Sequence, residues 1–138
     1  MKQNSKLHDL NVSEMGREMY REVLGKPFFD SDQPAPLVGV REFTINHLFA
    51  NVWSRSRNEL DGSNTGITLR ERRLITIALL AAQGRADQLR DHISGARRAG
   101  ISKEVLLETM IHVAHYAGWA AGTSGQAIVK DQYRDEKE

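Results

Sequence analysis

Apolar side chains recur at intervals of three and four along most of this chain, and no segment alternates convincingly, which predicts helices rather than strands. Ser13 is placed to cap a first helix that turns Met15, Met19, Val23 and Leu24 to one side and stops at Gly25. Residues 28–36 hold two of the chain's three prolines and predict an irregular connector. A second helix is expected over 37–54, with Val40, Phe43, Leu48, Val52 and Trp53 inward. The polar stretch SRSRNELDGSNTG that closes it reads as a surface loop. Thr68-Leu-Arg-Glu71 forms a capping box at the start of a third helix, which carries Leu74, Ile77, Ala78 and Ala81 to about Gln83 and ends at Gly84. Residues 86–99 predict a fourth helix with Leu89, Ile93 and Ala96 inward and Gly100 as its stop. Ser102 caps a fifth, bearing Val105, Leu106, Met110, Val113 and Ala117, and a last helix follows Gly118 over about 120–133. The expectation is an all-α bundle of about six helices in one domain spanning 1–138, with 1–12 and 134–138 frayed.

The totals narrow the chemistry. A chain of 138 residues is one domain's worth. Nineteen basic and eighteen acidic side chains leave a formal charge of +1, so no bulk field attracts nucleic acid or an anionic membrane, and any anion has to be met locally. No apolar run approaches the roughly 20 residues needed to span a bilayer, and the first ten residues lack the apolar stretch of a signal peptide, so a cytoplasmic protein is expected. Cysteine is absent, which excludes disulfides, thiolate metal sites and cysteine nucleophiles together.

Four features rise above this background. In GRADQLRDH, residues 84–92, Arg85, Gln88 and His92 fall at intervals of three and four and share one helix face, at the edge of the Leu89, Ile93 and Ala96 stripe. A cation, an amide and an imidazole converge there; the bland alternative is a boundary histidine that only packs. His112 and His115, three apart on one helix, have the spacing of a chelating pair. They lack evident carboxylate partners and the zinc pattern of histidines four apart with an intervening glutamate, so no metal is expected. Arg70, Arg72 and Arg73 stand at a helix start, where the helix dipole disfavours cations, which marks one of them as a candidate carboxylate binder. Glu71 is discounted as a general base because the capping box already uses it. Trp53, Tyr116 and Trp119 close or follow helices and are candidates for a pocket wall, although isolated aromatics more often belong to a core.

The order VWSR at 52–55, RRLITIALLAAQGR at 72–85, LRDHISGARRAGIS at 89–102 and IHVAHYAGWAAG at 111–122 resembles the carboxymuconolactone decarboxylase family. The resemblance implies an alkyl hydroperoxidase D-like helical subunit, assembled as a homotrimer or homohexamer with a small pocket near the subunit contacts. It also implies cofactor-free decarboxylation of a small carboxylated lactone in the breakdown of aromatic compounds. A related branch carries Cys-x-x-Cys with a histidine farther on; that pattern falls here on Arg85, Gln88 and His92, so the thiols are gone, the histidine remains and thiol peroxidase chemistry is closed. His112, Tyr116, Gly118 and Trp119 match a branch reading His-x-Ala-x-Tyr-Ala-Gly-Trp-Pro, with Ala120 in place of the proline and His115 where a hydrophobic residue is common. Arg73 stands where the family often has a glutamate. Under this resemblance His92 or His112 moves a proton, Arg85 or Arg72 holds the substrate carboxylate or steadies oxyanion charge, and Gln88, Trp53, Tyr116 and Trp119 line the substrate. The alternative is a non-catalytic helical oligomer that binds a small ligand in the same pocket.

Overall fold

The computed structural model describes residues 11–27, 39–59 and 66–136, with 58 and 59 described by backbone alone. The expected connector over 28–36 and the extreme ends of the chain lie outside the described residues. Every regular element is helical, and no strand occurs among the described residues. In order they are α1 (Val12–Leu24), α2 (Val40–Phe43) continued by a π-helix (Thr44–Val52) and a 3-10 helix (Trp53–Glu59), α3 (Leu69–Ala82), α4 (Ala86–Arg98), α5 (Lys103–Ala117) and α6 (Trp119–Gln132). The expected all-α class is found. The chain divides into two compact units, 1–72 and 73–138.

In the first unit α1 starts two residues earlier than expected. Asn11, not Ser13, takes the N-cap: its Oδ1 accepts the Glu14 N–H at 3.0 Å, and Glu14 Oε2 accepts the Asn11 N–H at 3.1 Å. Asn11 and Glu14 meet the three-residue spacing of a capping box, which frees Ser13 to donate its hydroxyl to Asn46 Oδ1 at 2.7 Å. Gly25 ends α1 in the left-handed region at φ 70°, as expected.

The second expected helix is found in part and in a different phase. Val40 and Phe43 are exposed and Leu48 is partly so, whereas Ile45, Phe49, Ala50 and Trp53 are buried. A stripe that starts at Val40 and Phe43 is off the buried face from the outset, and i→i+5 hydrogen bonding over Thr44–Val52 then moves the face away from a 3.6 period. Met19, Val23, Leu24, Phe49 and Trp53 form the core of this unit, with Tyr20 edge-on to Phe49 at 4.9 Å between ring centroids. A side chain at Gly16 would collide with the carbonyl oxygen of Ile45, so glycine is what lets α1 lie directly on the π-helix.

The predicted surface loop after residue 53 begins instead as the 3-10 helix, and two of its polar residues turn inward. Ser56 is 3% and Arg57 8% exposed. Arg72 Nε donates to Ser56 Oγ at 2.6 Å, and Arg57 lies against Met15 Sδ. Residues 60–65 of that expected loop fall outside the described residues.

The second unit follows the periodicity closely. Ile77, Ala81, Leu89, Ile93, Ala96, Ile101, Leu106, Met110, Val113, Ile128, Val129 and Tyr133 make one continuous core. Each predicted stop or cap that bounds these helices is present: Gly84 and Gly100 have φ of 69° and 89°, and Ser102 Oγ accepts the Val105 N–H at 3.3 Å. The α5–α6 pair packs most intimately, because α6 presents glycine to α5. A Cβ at Gly122 would meet the Met110 carbonyl oxygen at 2.8 Å. Tyr133, 1% exposed, donates its hydroxyl to the Ile101 carbonyl at 2.7 Å, and burial pushes that phenol up to about 12. Arg97 reaches across its ring, 5.2 Å from the centroid, and pairs with Asp135 at 2.9 Å.

Candidate active site

The helix α4 opens without a side-chain cap. Arg85 occupies the N-cap position, its N–H donating to the Leu80 carbonyl at 3.0 Å and its own carbonyl accepting the Leu89 N–H at 2.9 Å. This tight joint after Gly84 sets the phase of α4: Leu89, Ile93 and Ala96 enter the core, Arg85 and Gln88 stay exposed, and His92 lies half-buried at the border. Arg85, Gln88 and His92 thus run along one edge, from solvent at the first turn toward the interior at the second.

His92 is a strongly perturbed group that the fold holds at the edge of the core. Its Nδ1 is shut off from solvent, and its pKa falls from 6.5 to about 4. Burial is the largest cause, the positive charge of Arg73 adds to it, and Asp91 opposes it. The imidazole is therefore neutral at physiological pH, and when charged it gives up its proton readily. An anion bound beside it would offset the field of Arg73 and favour the imidazolium, so that proton gain follows anion binding.

Arg73 itself is 2% exposed. It lies on the inward stripe of α3 with Ile77 and Ala81, at intervals of four, and is the member of the Arg70, Arg72 and Arg73 cluster that turns inside. Arg73 is one of the three arginines among which the sequence predicts a carboxylate binder, while the resemblance singles out Arg72 for that role and marks Arg73 as a departure from the family's glutamate. The four-residue interval to two core positions was the available signal.

The other predicted residues lie elsewhere. His112 is exposed on α5 and stacks on Tyr116, with ring centroids 4.6 Å apart and planes 27° from parallel. His115 meets Trp119 edge-on at 5.6 Å, and its Nδ1 lies 2.8 Å from the Ile111 carbonyl. Tyr116 and Trp119 are 83% and 70% exposed, on either side of the break at Gly118. Trp53 is 3% exposed and stacks on Phe49 at 6.0 Å, in the core of the first unit. Arg72, also of the first unit, is half-buried against Ser56. Among the described residues no three His, Asp or Glu side chains gather as a metal site.

Comparison with known proteins bears directly on this geometry. The model of the carboxymuconolactone decarboxylase family matches residues 47–131, which include His92, Arg73 and the α5–α6 aromatics. The chain belongs to the carboxymuconolactone decarboxylase family. It is also 30% identical over 129 residues to the 4-carboxymuconolactone decarboxylase of Acinetobacter baylyi, a match covering 94% of this chain and 92% of the relative. Membership in the carboxymuconolactone decarboxylase family agrees with the cysteine-free frame around His92. No described helix is long and apolar enough to cross a membrane.

Proposed function

We propose that the protein is a cofactor-free carboxy-lyase acting on a small carboxylated lactone or a related intermediate of aromatic catabolism. The observation that carries this reading is His92, a desolvated imidazole beside the buried cation Arg73, within the stretch matched by the family. Resemblance to a 4-carboxymuconolactone decarboxylase over most of both chains supports the reaction class.

The substrate enters as an anion, and its charge draws a proton from solvent onto His92. The bond from carbon to the departing carboxylate then breaks, carbon dioxide leaves, and the electron pair passes into the conjugated lactone carbonyl as an enolate. The imidazolium N–H delivers its proton to the carbon, which restores neutral His92. One proton is consumed for each carbon dioxide released. Arg85 holds substrate carboxylate, a charge-assisted pairing that fixes the geometry of the anion. Gln88, Tyr116 and Trp119 border the substrate, and His112 is the second candidate for the proton transfer; Trp53, enclosed in the core of the first unit, has no part in it.

In this reading the whole chain acts as one carboxymuconolactone decarboxylase-like domain, working in the cytoplasm as a homotrimer or homohexamer. Ile75, Leu79, Ile111, Tyr116 and Trp119, all exposed on the second unit, supply apolar surface for such an assembly. The test is release of carbon dioxide from γ-carboxymuconolactone by purified protein, with the His92→Ala variant alongside. His92→Ala is expected to lower turnover by about 10²-fold or more while keeping the helical signal and the oligomer size. Full activity in that variant removes His92 from the mechanism, and ligand binding without turnover by either protein favours a non-catalytic binding role.

A further inference from the structure

The first unit holds a concentration of positive charge of its own. Arg55, Ser56 and Arg57 follow one another in the 3-10 helix, and Arg72 reaches them from the first turn of α3. Ser56 is almost completely enclosed and accepts the Arg72 Nε–H at 2.6 Å. A serine hydroxyl that accepts from a cation keeps its own hydrogen to donate. The terminal nitrogens of Arg72 remain as a two-pronged donor edge.

Arg57 is more than nine-tenths buried, and its Nε has no hydrogen-bond partner among the described residues. Its guanidinium lies against the thioether of Met15, a weak acceptor that does not by itself balance a positive charge. Among the described residues no carboxylate forms an ion pair with Arg57 or Arg72, and Glu71, the acid next to Arg72, has one carboxylate oxygen on the Thr68 N–H at 2.8 Å. Arg55 stands close enough to Arg72 for their like charges to repel, which together with burial lowers the Arg72 pKa. Arg55 and Arg72, held close against their repulsion, with Arg72 on an enclosed hydroxyl that has a hydrogen to donate, are arranged for an anion.

We propose that Ser56, Arg57 and Arg72, with Arg55 adding charge, form a binding site for a small carboxylate anion. The Arg72 fork and the Ser56 hydroxyl make the directional contacts, and Arg57 and Arg55 supply the field. A carboxylate fits because its two oxygens match the planar spacing of a guanidinium edge and leave one lone pair for the hydroxyl. The inference rests on the lyase reading only for the natural identity of that carboxylate, not for its binding.

Malonate is the probe. Calorimetric titration of the full chain at pH 7 and low salt is expected to show saturable binding that weakens as salt is added. Arg72→Gln is expected to weaken it by about tenfold or more, Arg72→Lys by less, and Ser56→Ala by about threefold to tenfold. Arg90→Gln, which alters an exposed arginine paired with Asp87, leaves the affinity unchanged. Thermal melts identify any variant that has lost its fold, and Arg72→Lys keeps the test decisive if Arg72→Gln is one of them. The proposal is overturned by equal affinity in wild type, Arg72→Lys and Ser56→Ala, or by absence of malonate binding to the wild type. His92→Gln separates the two readings: it retains malonate affinity while losing turnover. A protein that turns over no lactone, yet loses malonate when Ser56 or Arg72 is changed, keeps this site and loses the lyase assignment.

Discussion

Two helices of the second unit carry histidine toward very different surroundings. On α4, His92 sits at the border of the core with Nδ1 closed to water and a buried arginine for a neighbour. On α5, His112 and His115 lie at the surface, each against an aromatic ring that is itself mostly exposed. The difference teaches that enclosure, rather than the density of imidazole, is what singles out a candidate for proton chemistry here. The segment richest in histidine is the wetter one, and the single histidine of α4 is the group whose protonation the fold controls.

The largest effect that distinguishes the two regions is on turnover. Where His92→Gln lowers kcat by about 10²-fold or more, His112→Ala is expected to lower it by less than about tenfold, measured on the same lactone substrate. The reverse order would move the proton transfer to α5 and make the burial of His92 purely structural.

Next in size is the influence of Arg73 on its neighbour. Replacing it by the uncharged Arg73→Met removes the smaller of the two causes that depress His92, so the imidazole pKa, read by NMR titration of its ring protons, should rise while burial still holds it below 6.5. An unchanged value would show that burial alone sets the protonation of His92.

Stability against pH gives a third handle. The folded pKa of about 4 lies below the ordinary value of 6.5, so between those limits the unfolded chain binds a proton that the folded chain refuses. Stability from this group is therefore flat above pH 6.5 and is lost as the pH falls toward 4, by about 3 kcal/mol at most. Denaturant titrations across that window should show the loss in the wild type and a shallower slope in His92→Gln. The smallest expected effect lies on α5: Tyr116→Ala, at a residue 83% exposed, should change the stability of the isolated subunit by less than about 0.5 kcal/mol.

How much of this was legible in the sequence depends on what holds each region in place. From α3 onward, caps, glycine stops and apolar stripes agree with one another, and Ile77, Leu89, Ile93, Leu106 and Met110 occupy the core where a 3.6 period places them. The segment 40–59 resisted because its hydrogen bonding changes from α to π to 3-10, and a stripe started at Val40 is off the buried face from the outset. Ser56 and Arg57 were hidden for a related reason. Polar composition predicts exposure, whereas their burial depends on contacts with Arg72 and Met15, distant in the chain. The edge of Arg85, Gln88 and His92 was readable from spacing, but which member is enclosed depended on where the joint at Gly84 starts the next helix. Arg73 was legible in principle, as the first residue of a four-residue stripe, and was obscured by the expectation that arginine faces water.

The glycines that α6 turns toward α5 make this helix sensitive to count as well as to composition. One residue inserted between Trp119 and Gly122 would rotate everything after it by about 100° about the helix axis. Ala121 would then stand where Gly122 now faces Ala114 and the Met110 carbonyl, and Ser124 where Gly125 now lies on the Met110 side chain. Neither site has room for a side chain. Outward positions of α6 are open to substitution, but its length from Gly118 to Gly125 is closed to insertion and deletion alike.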